Sequence, residues 1–212
     1  AIAVTEPDAG SDVSRIRTRA VKDGNDWVIN GTKLYITNAA TADWLCLLAV
    51  TDPEAGHHGF SQIIVPMDCP GITVELLEKV GFYGSDTGQI FLEDVRVPIS
   101  NTIGAEGQGF AQQMMQFQDE RLCLCVSLIS ATELLWDETK RYTQERILFG
   151  KPLSKMQNTQ FKLVDCLTQI TASKHMLKAC VDKRVAGEDA TNLISMAKLF
   201  TARVGRKVAD EC

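Results

Sequence analysis

Among the 27 acidic residues, Glu120 lies where a helix would give a carboxylate an apolar flank. It lies in the run Phe117-Gln118-Asp119-Glu120-Arg121-Leu122. A helix through this run puts Phe117 and Leu124 on the same side as Glu120, three residues before it and four after. An apolar flank of that kind raises a carboxylate's pKa and leaves it dry enough to act on carbon. Asp119 points about a quarter-turn away and is the weaker candidate. Taken alone, the Glu120-Arg121 step reads first as a solvated surface pair, as a lone Glu beside an Arg on a helix usually is.

A second candidate lies near the start, in Thr5-Glu6-Pro7-Asp8-Ala9-Gly10-Ser11-Asp12. Pro7 and Gly10 force a turn that leaves the Gly10 and Ser11 amides and the Ser11 hydroxyl free to meet an anion such as a pyrophosphate. The competing reading has Ser11 capping a short helix over residues 13–16. Gly104-x-x-Gly107-x-Gly109 resembles a dinucleotide loop in spacing only, because it lacks the strand and helix of a Rossmann unit. It reads as a hinge or a flexible helix start. Arg146, Phe149 and Gln157 surround the break Gly150-Lys151-Pro152, where Arg146 alone is a solvated cation near a helix C-terminus.

The elements that must position these residues fall into two kinds. Up to about Asn101 the chain carries short β-branched or aromatic runs divided by turn residues. Residues 1–5 are strand-like, and Trp27 to Asn30 follows the turn at Lys22 to Asp26. Leu34 to Thr37 follows a bend at Asn30-Gly31. Leu45 to Thr51, Ser61 to Pro66, Ile72 to Leu76 and Gln89 to Val97 complete the strands, as in a β-barrel or sandwich. After Pro98 the period becomes about 3.6. The first helix starts near Gly109, with Phe110, Met114, Phe117, Leu124, Leu128 and Leu135 on its apolar face. A second runs over roughly 155–185, and Ala186-Gly187-Glu188-Asp189 precedes a third. The sequence therefore predicts an α+β chain, with a β module over residues 1–103 and an antiparallel helical bundle, incomplete, over 104–212.

Composition narrows the function classes. At 45% hydrophobic and a net charge of −5, the chain reads as globular and has no basic stripe for a nucleic acid. Its longest apolar run, Trp44 to Val50, is far below the ~20 residues of a membrane span. The seven cysteines contain no C-x-x-C pair and read as reduced thiols, and the three histidines form no ligand cluster, so no metal is expected. The apolar opening at Ala1 and the helical close at Cys212 without a stop signal read as the interior of a longer chain.

Six segments carry a resemblance. They are Thr5 to Asp12, Asn30 to Asn38, Ser85 to Pro98, Gly104 to Phe110, Gln144 to Pro152 and Ser195 to Phe200. In content and order they resemble the acyl-CoA dehydrogenase family across essentially the whole chain. The resemblance implies FAD as cofactor, with Val4, Thr5, Gly10, Ser11, Tyr35, Ile36 and Thr37 contacting it. It further implies that Arg146, Phe149 and Gln157 serve the flavin of a neighbouring subunit in a homo-oligomer, a dimer of dimers.

The Glu-Arg-Leu context matches the placement of the catalytic Glu in long-chain and isovaleryl-type members, which assigns Glu120 as base. By the same carry-over, Ser11, Phe117, Gln118 and Arg121 meet the acyl-CoA. The activity implied is α,β-dehydrogenation of an acyl-CoA thioester to the trans-2-enoyl-CoA, with an electron-transferring flavoprotein as partner. Such an enzyme is expected in a bacterial cytoplasm or a mitochondrial matrix. A flavin oxidase or monooxygenase, or a non-catalytic acyl-CoA-binding protein, remains an alternative. The sequence departs from the common pattern at Tyr35, often Trp, at Gln118, often Asp, and at Tyr83, often basic.

Overall fold

A computed structural model describes all 212 residues, which form two compact units, Ala1–Met114 and Met115–Cys212. The first is built on one seven-stranded curled sheet, a half-barrel. Its strands are β1 (Ile2–Ala3), β2 (Arg19–Asp23), β3 (Asp26–Thr37), β4 (Trp44–Val50), β5 (Phe60–Pro66), β6 (Ile72–Leu76) and β7 (Thr87–Pro98). They pair in the order β1-β4-β2-β3-β7-β6, with β5 also on β4. β5 covers one edge of β4 along its whole length, so β1 and the end of β2 share the other.

Alternation decides which side chains enter the core. Trp27 and Ile29 of β3, Leu45 and Leu47 of β4, Ile63 and Val65 of β5, and Ile90, Leu92, Val95 and Val97 of β7 form one buried cluster. Each such side chain contributes roughly 1.5–3 kcal/mol by leaving water.

The expected bend at Asn30-Gly31 is absent: β3 is a single strand of 12 residues. The irregularity belongs to β7, where the partner register moves from Ile29↔Val95 to Gly31↔Leu92. Asp94 takes the extra position with φ 50°, and the Asn30 amide side chain grips it through both the Asp94 carboxylate (3.0 Å) and the Asp94 backbone N–H (2.9 Å). The sequence reading also missed β2, a mostly exposed strand whose apolar signal is Ala20 and Val21 alone.

The second unit holds three long helices. α1 (Gly109–Glu145) begins in the first unit and continues into this one; α2 (Gln157–Val185) and α3 (Thr191–Glu211) follow. Ion pairs report the directions. Asp119 and Glu133 on α1 meet Arg184 and Lys174 on α2, whereas Lys162 and Asp165 on α2 meet Glu211 and Lys207 on α3. In both cases low numbers face high ones, as antiparallel neighbours require.

The buried face of α1 in this unit is Cys125, Ile129, Thr132 and Thr143, spaced three, four or eleven apart. Leu124 and Leu135, assigned to that face by the sequence reading, are instead exposed. The helix carries apolar residues on more than one side, and periodicity alone chose between them wrongly. Cys180, Ile194 and Ala197 pack with Cys125, while Cys166, Ile170, Val204 and Val208 form a second cluster beside Trp136. No helix is long and apolar enough to cross a membrane.

The break between α1 and α2 contains a hairpin that the sequence reading missed, β8 (Ile147–Leu148) against β9 (Lys151–Pro152). Phe149 and Gly150 form its tip with φ 52° and 75°, both positive as a type I′ turn demands.

Candidate functional site

In the first unit the candidate residues gather around an irregularity in β3. Between Lys33↔Ile90 and Ile36↔Gly88 the strand gains one residue on its partner. This bulge turns the Leu34 amide away from β7 to donate to the Thr5 carbonyl at 2.8 Å. It also places Tyr35 at φ 59°, a conformation of limited access for a bulky side chain. The Tyr35 ring is 66% exposed. Thr5 is half-buried beside it, and Thr37 is exposed two residues on. Ile36 is buried in the core and Val4 is buried too, so these two offer a ligand backbone more than side chain.

What holds this bulge was not foreseen. Lys33 is wholly buried, and its ammonium donates to the Val4 carbonyl (3.0 Å), the Leu48 carbonyl (2.8 Å) and Glu6 Oε1 (2.9 Å). Glu6 Oε1 also accepts from the Thr18 amide (3.0 Å) and hydroxyl (2.6 Å), and Oε2 from the Arg17 amide (2.7 Å). Burial alone would push the Glu6 carboxyl up. The Lys33 charge and the bonds from Thr18 and Arg17 outweigh it and hold the carboxyl below its usual range. Burial pulls Lys33 down to about 8 against the opposing pull of Glu6, so the pair is ionic at neutral pH. No local pattern marks the pair: Glu6 stands before Pro7-Asp8 and Lys33 after Gly31-Thr32.

Beyond Glu6 the chain makes a tight turn, closed by Glu6 N–H to Ala9 O (2.9 Å) and Ala9 N–H to Glu6 O (3.1 Å). Gly10 and Ser11 follow it, both exposed. The 3-10 turn Val13–Arg15 takes Asp12, not Ser11, as its N-cap residue, and no side chain bonds into that cap. The capping role weighed for Ser11 is therefore not taken up.

At the far end of β3, Asp86 accepts from the Ala40 amide (3.0 Å) and the Thr41 hydroxyl (2.9 Å). The Ala40 amide, chiefly, holds its carboxyl below the usual range. Ser85 donates to Asn38 Oδ1 at 3.0 Å. The two motif segments are thus stitched together just past Thr37. Tyr83 is 82% exposed, and its hydroxyl donates to the Val80 carbonyl at 3.1 Å.

The glycine segment before α1 is packed against β5. The Gly107 amide donates to Ser61 Oγ at 3.0 Å, and a Cβ on Gly109 would lie 2.6 Å from the Ser61 carbonyl carbon. Close approach of two backbones, not mobility, requires glycine there.

In the second unit Phe117, Gln118, Glu120 and Arg121 occupy one turn of α1, all half-buried. The Arg121 guanidinium sits over the Phe117 ring at 5.9 Å. Glu120 Oε1 and Gln118 Oε1 are buried and have no hydrogen-bond partner. Burial pushes the Glu120 carboxyl up, opposed more weakly by the charge of Arg121. Asp119, by contrast, is exposed and engaged by Arg184 at 2.5 Å. A carboxylate with a raised pKa and an unclaimed oxygen is able to accept a proton from carbon.

Arg146, Phe149 and Gln157 gather around the β8–β9 hairpin. The Arg146 carbonyl accepts from Leu153 N–H at 2.7 Å, which closes the hairpin and leaves the Arg146 side chain exposed. Phe149, at the tip, is 88% exposed, and Gln157 opens α2 in solvent.

Residues 1–95 match the acyl-CoA dehydrogenase middle domain and residues 107–212 the acyl-CoA dehydrogenase C-terminal domain. The chain belongs to the acyl-CoA dehydrogenase family, whose members are flavoprotein oxidoreductases. It is 37% identical over 215 residues to the mitochondrial long-chain specific acyl-CoA dehydrogenase of Sus scrofa, covering 100% of this chain and 50% of that protein. To the cyclohexane-1-carbonyl-CoA dehydrogenase of Syntrophus aciditrophicus it is 38% identical, over 98% of this chain and 54% of that one. The crystal structure of acyl-CoA dehydrogenase from Geobacillus kaustophilus is similar with a TM-score of 0.96 at 39% identity, over 99% of this chain and 56% of that one. The chain thus spans about half the length of the curated relatives it matches.

Proposed function

We propose that the intact protein catalyses FAD-dependent α,β-dehydrogenation of an acyl-CoA thioester to the trans-2-enoyl-CoA. The observation that carries this reading is Glu120, whose buried, unpartnered oxygen and raised pKa suit a base far better than a structural carboxylate. The residues present fit a flavin dinucleotide. Tyr35 offers an exposed aromatic face. The Gly10 and Ser11 amides and the Ser11 hydroxyl have no competing partner in the fold, and Arg146 is an exposed cation for a phosphate.

In this reading Val4, Thr5, Gly10, Ser11, Tyr35, Ile36 and Thr37 hold the cofactor, and Arg146, Phe149 and Gln157 serve that of a neighbouring subunit. Ser11, Phe117, Gln118 and Arg121 hold the acyl-CoA. Glu120 removes the proton α to the thioester, and the low polarity around it favours the neutral acid it becomes. Gln118, with its own unclaimed carbonyl oxygen, and Arg121, fixed over Phe117, orient the substrate beside it. Bound flavin supplies the acceptor for the β hydrogen, which leaves as hydride. An electron-transferring flavoprotein is the proposed electron acceptor. In this reading the middle domain is residues 1–103 and the helical domain residues 104–212, and each contributes to both cofactor and substrate.

The test is to follow flavin absorbance of the intact protein while acyl-CoAs of graded length and branching are added. Bleaching by at least one of them, with slow reoxidation by oxygen, is the expected result. Absence of bleaching with all of them would leave only an acyl-CoA-binding protein, and rapid reoxidation by oxygen would mark an oxidase.

A further inference from the structure

The Glu6–Lys33 pair is expensive to bury. Removing two charges from water costs several kcal/mol per ion. Its geometry shows what it accomplishes. Lys33 has three N–H groups and three acceptors, two of which are backbone carbonyls on different segments, Val4 and Leu48. Glu6 collects the third together with the Arg17 and Thr18 amides. Four segments are thereby tied at one point: the Val4–Glu6 stretch, the Arg17–Thr18 stretch, β3 and β4.

The next two residues of β3 depend on that point. Leu34 N–H holds Thr5 O, and Tyr35 is set at φ 59°, a conformation that a tyrosine keeps only where its surroundings over-determine it. Glu6 and Lys33 are themselves sealed from any ligand, at 6% and 0% side-chain exposure.

We propose that the buried Glu6–Lys33 pair is a positioning device that fixes Thr5 and Tyr35, in register and in aim, for the flavin. This rests on the flavin reading above. Neither residue touches cofactor or substrate; each acts through the backbone of Val4 and Thr5 and through the bulge at Leu34. An apolar pair would fill the space but would leave the Val4 and Leu48 carbonyls without a donor and the bulge free to relax.

The experiment uses the intact protein carrying Glu6→Gln/Lys33→Met, which removes both charges and keeps one amide oxygen to accept from Thr18, while the amide NH2 takes the place of the oxygen that accepts from Arg17 N–H. In the apoprotein, amide exchange at Leu34 should accelerate tenfold or more relative to the β3–β7 amides around Ile29 and Val95. In the same variant the Kd for FAD should rise tenfold or more, and the visible absorption band of bound flavin should shift. A merely structural pair would change exchange alike at Leu34 and at the Ile29 control, with the flavin band unmoved, and that result overturns the proposal.

Should the double variant fail to unfold cooperatively, Thr18→Val provides the same comparison by removing one donor to Glu6. Leu34 exchange and FAD Kd should then rise severalfold at near-constant Tm, and no change in either overturns the proposal. If the unsubstituted protein bound no FAD, the flavin reading would fall, while the Leu34 comparison would still decide whether the pair holds the loop.

Discussion

Each unit of the molecule takes a glutamate oxygen out of water, and the two are treated in opposite ways. Glu6, in the sheet unit, receives hydrogen bonds on both oxygens and a full countercharge, and its carboxyl is held below the usual range. Glu120, in the helical unit, keeps an oxygen with no donor at all, and burial lifts its carboxyl above that range. A buried polar group left unsatisfied costs on the order of 1–3 kcal/mol, more when charged. The contrast separates a carboxylate bound into the fold from the one proposed above as the base.

The largest effect should come from removing the free one. In the intact protein Glu120→Gln preserves shape and removes the ionisable group, so fold and flavin content should persist while the rate of flavin reduction by substrate falls on the order of 10³-fold or more. Stopped-flow reduction measures it directly. A near-normal rate would move the base elsewhere and erase the functional half of the comparison.

The sheet unit should respond in stability instead. Lys33→Ala leaves Glu6 charged, buried and unpaired, a loss of roughly 3–5 kcal/mol, visible as a large drop in the denaturant midpoint. Loss of less than about 1 kcal/mol would mean that water replaces the ammonium.

These two carboxylates were unequally legible. Glu120 stands out in the sequence by its Glu-Arg-Leu context on a local segment, whereas the apolar flank expected from the helix period is met only in part, since Leu124 is exposed. The Glu6–Lys33 pair joins residues 27 apart in sequence, and no periodicity announces which charge will turn inward. The same asymmetry holds for the fold. β4, β5 and β6 were legible to within a residue from β-branched runs. β2 was not, because only Ala20 of its five residues is buried, and it exists by pairing with β3. The glycines before α1 were visible, but their reason, contact with Ser61 of β5, is a tertiary fact. The buried side of α1 was misassigned at Leu124 and Leu135 because apolar residues on several faces leave the choice to packing partners.

Acidification sharpens the comparison further, since the two groups titrate on opposite sides of the ordinary glutamate value. Glu6, with its folded pKa depressed, contributes stability that is present above that value and is lost as pH falls through the lower folded one. Glu120, with its pKa raised, must be ionised to act, so flavin reduction is lost as pH falls through a point above the ordinary value. Thermal unfolding as a function of pH should therefore show an acid-side loss that Glu6→Gln removes. The pH profile of flavin reduction should show its acid limb at higher pH than that loss. Coincident limbs would show that one group, or global unfolding, controls both.

The smallest effect is expected one residue from the largest. Asp119 is adjacent to Glu120 in sequence, yet its carboxylate faces outward and is engaged by Arg184 of α2 at 2.5 Å, with both side chains about half exposed. Water and salt screen such a pair, so Asp119→Asn should cost at most about 1 kcal/mol, and less in high salt. Flavin reduction should stay within a few-fold of the original rate, because the substitution leaves Glu120, Phe117 and Arg121 in place. Measuring both substitutions by the same stopped-flow assay makes the helix its own control. If Asp119→Asn slowed reduction as much as Glu120→Gln, a shift of α1 against α2 would explain both losses, and the free oxygen of Glu120 would no longer identify the base.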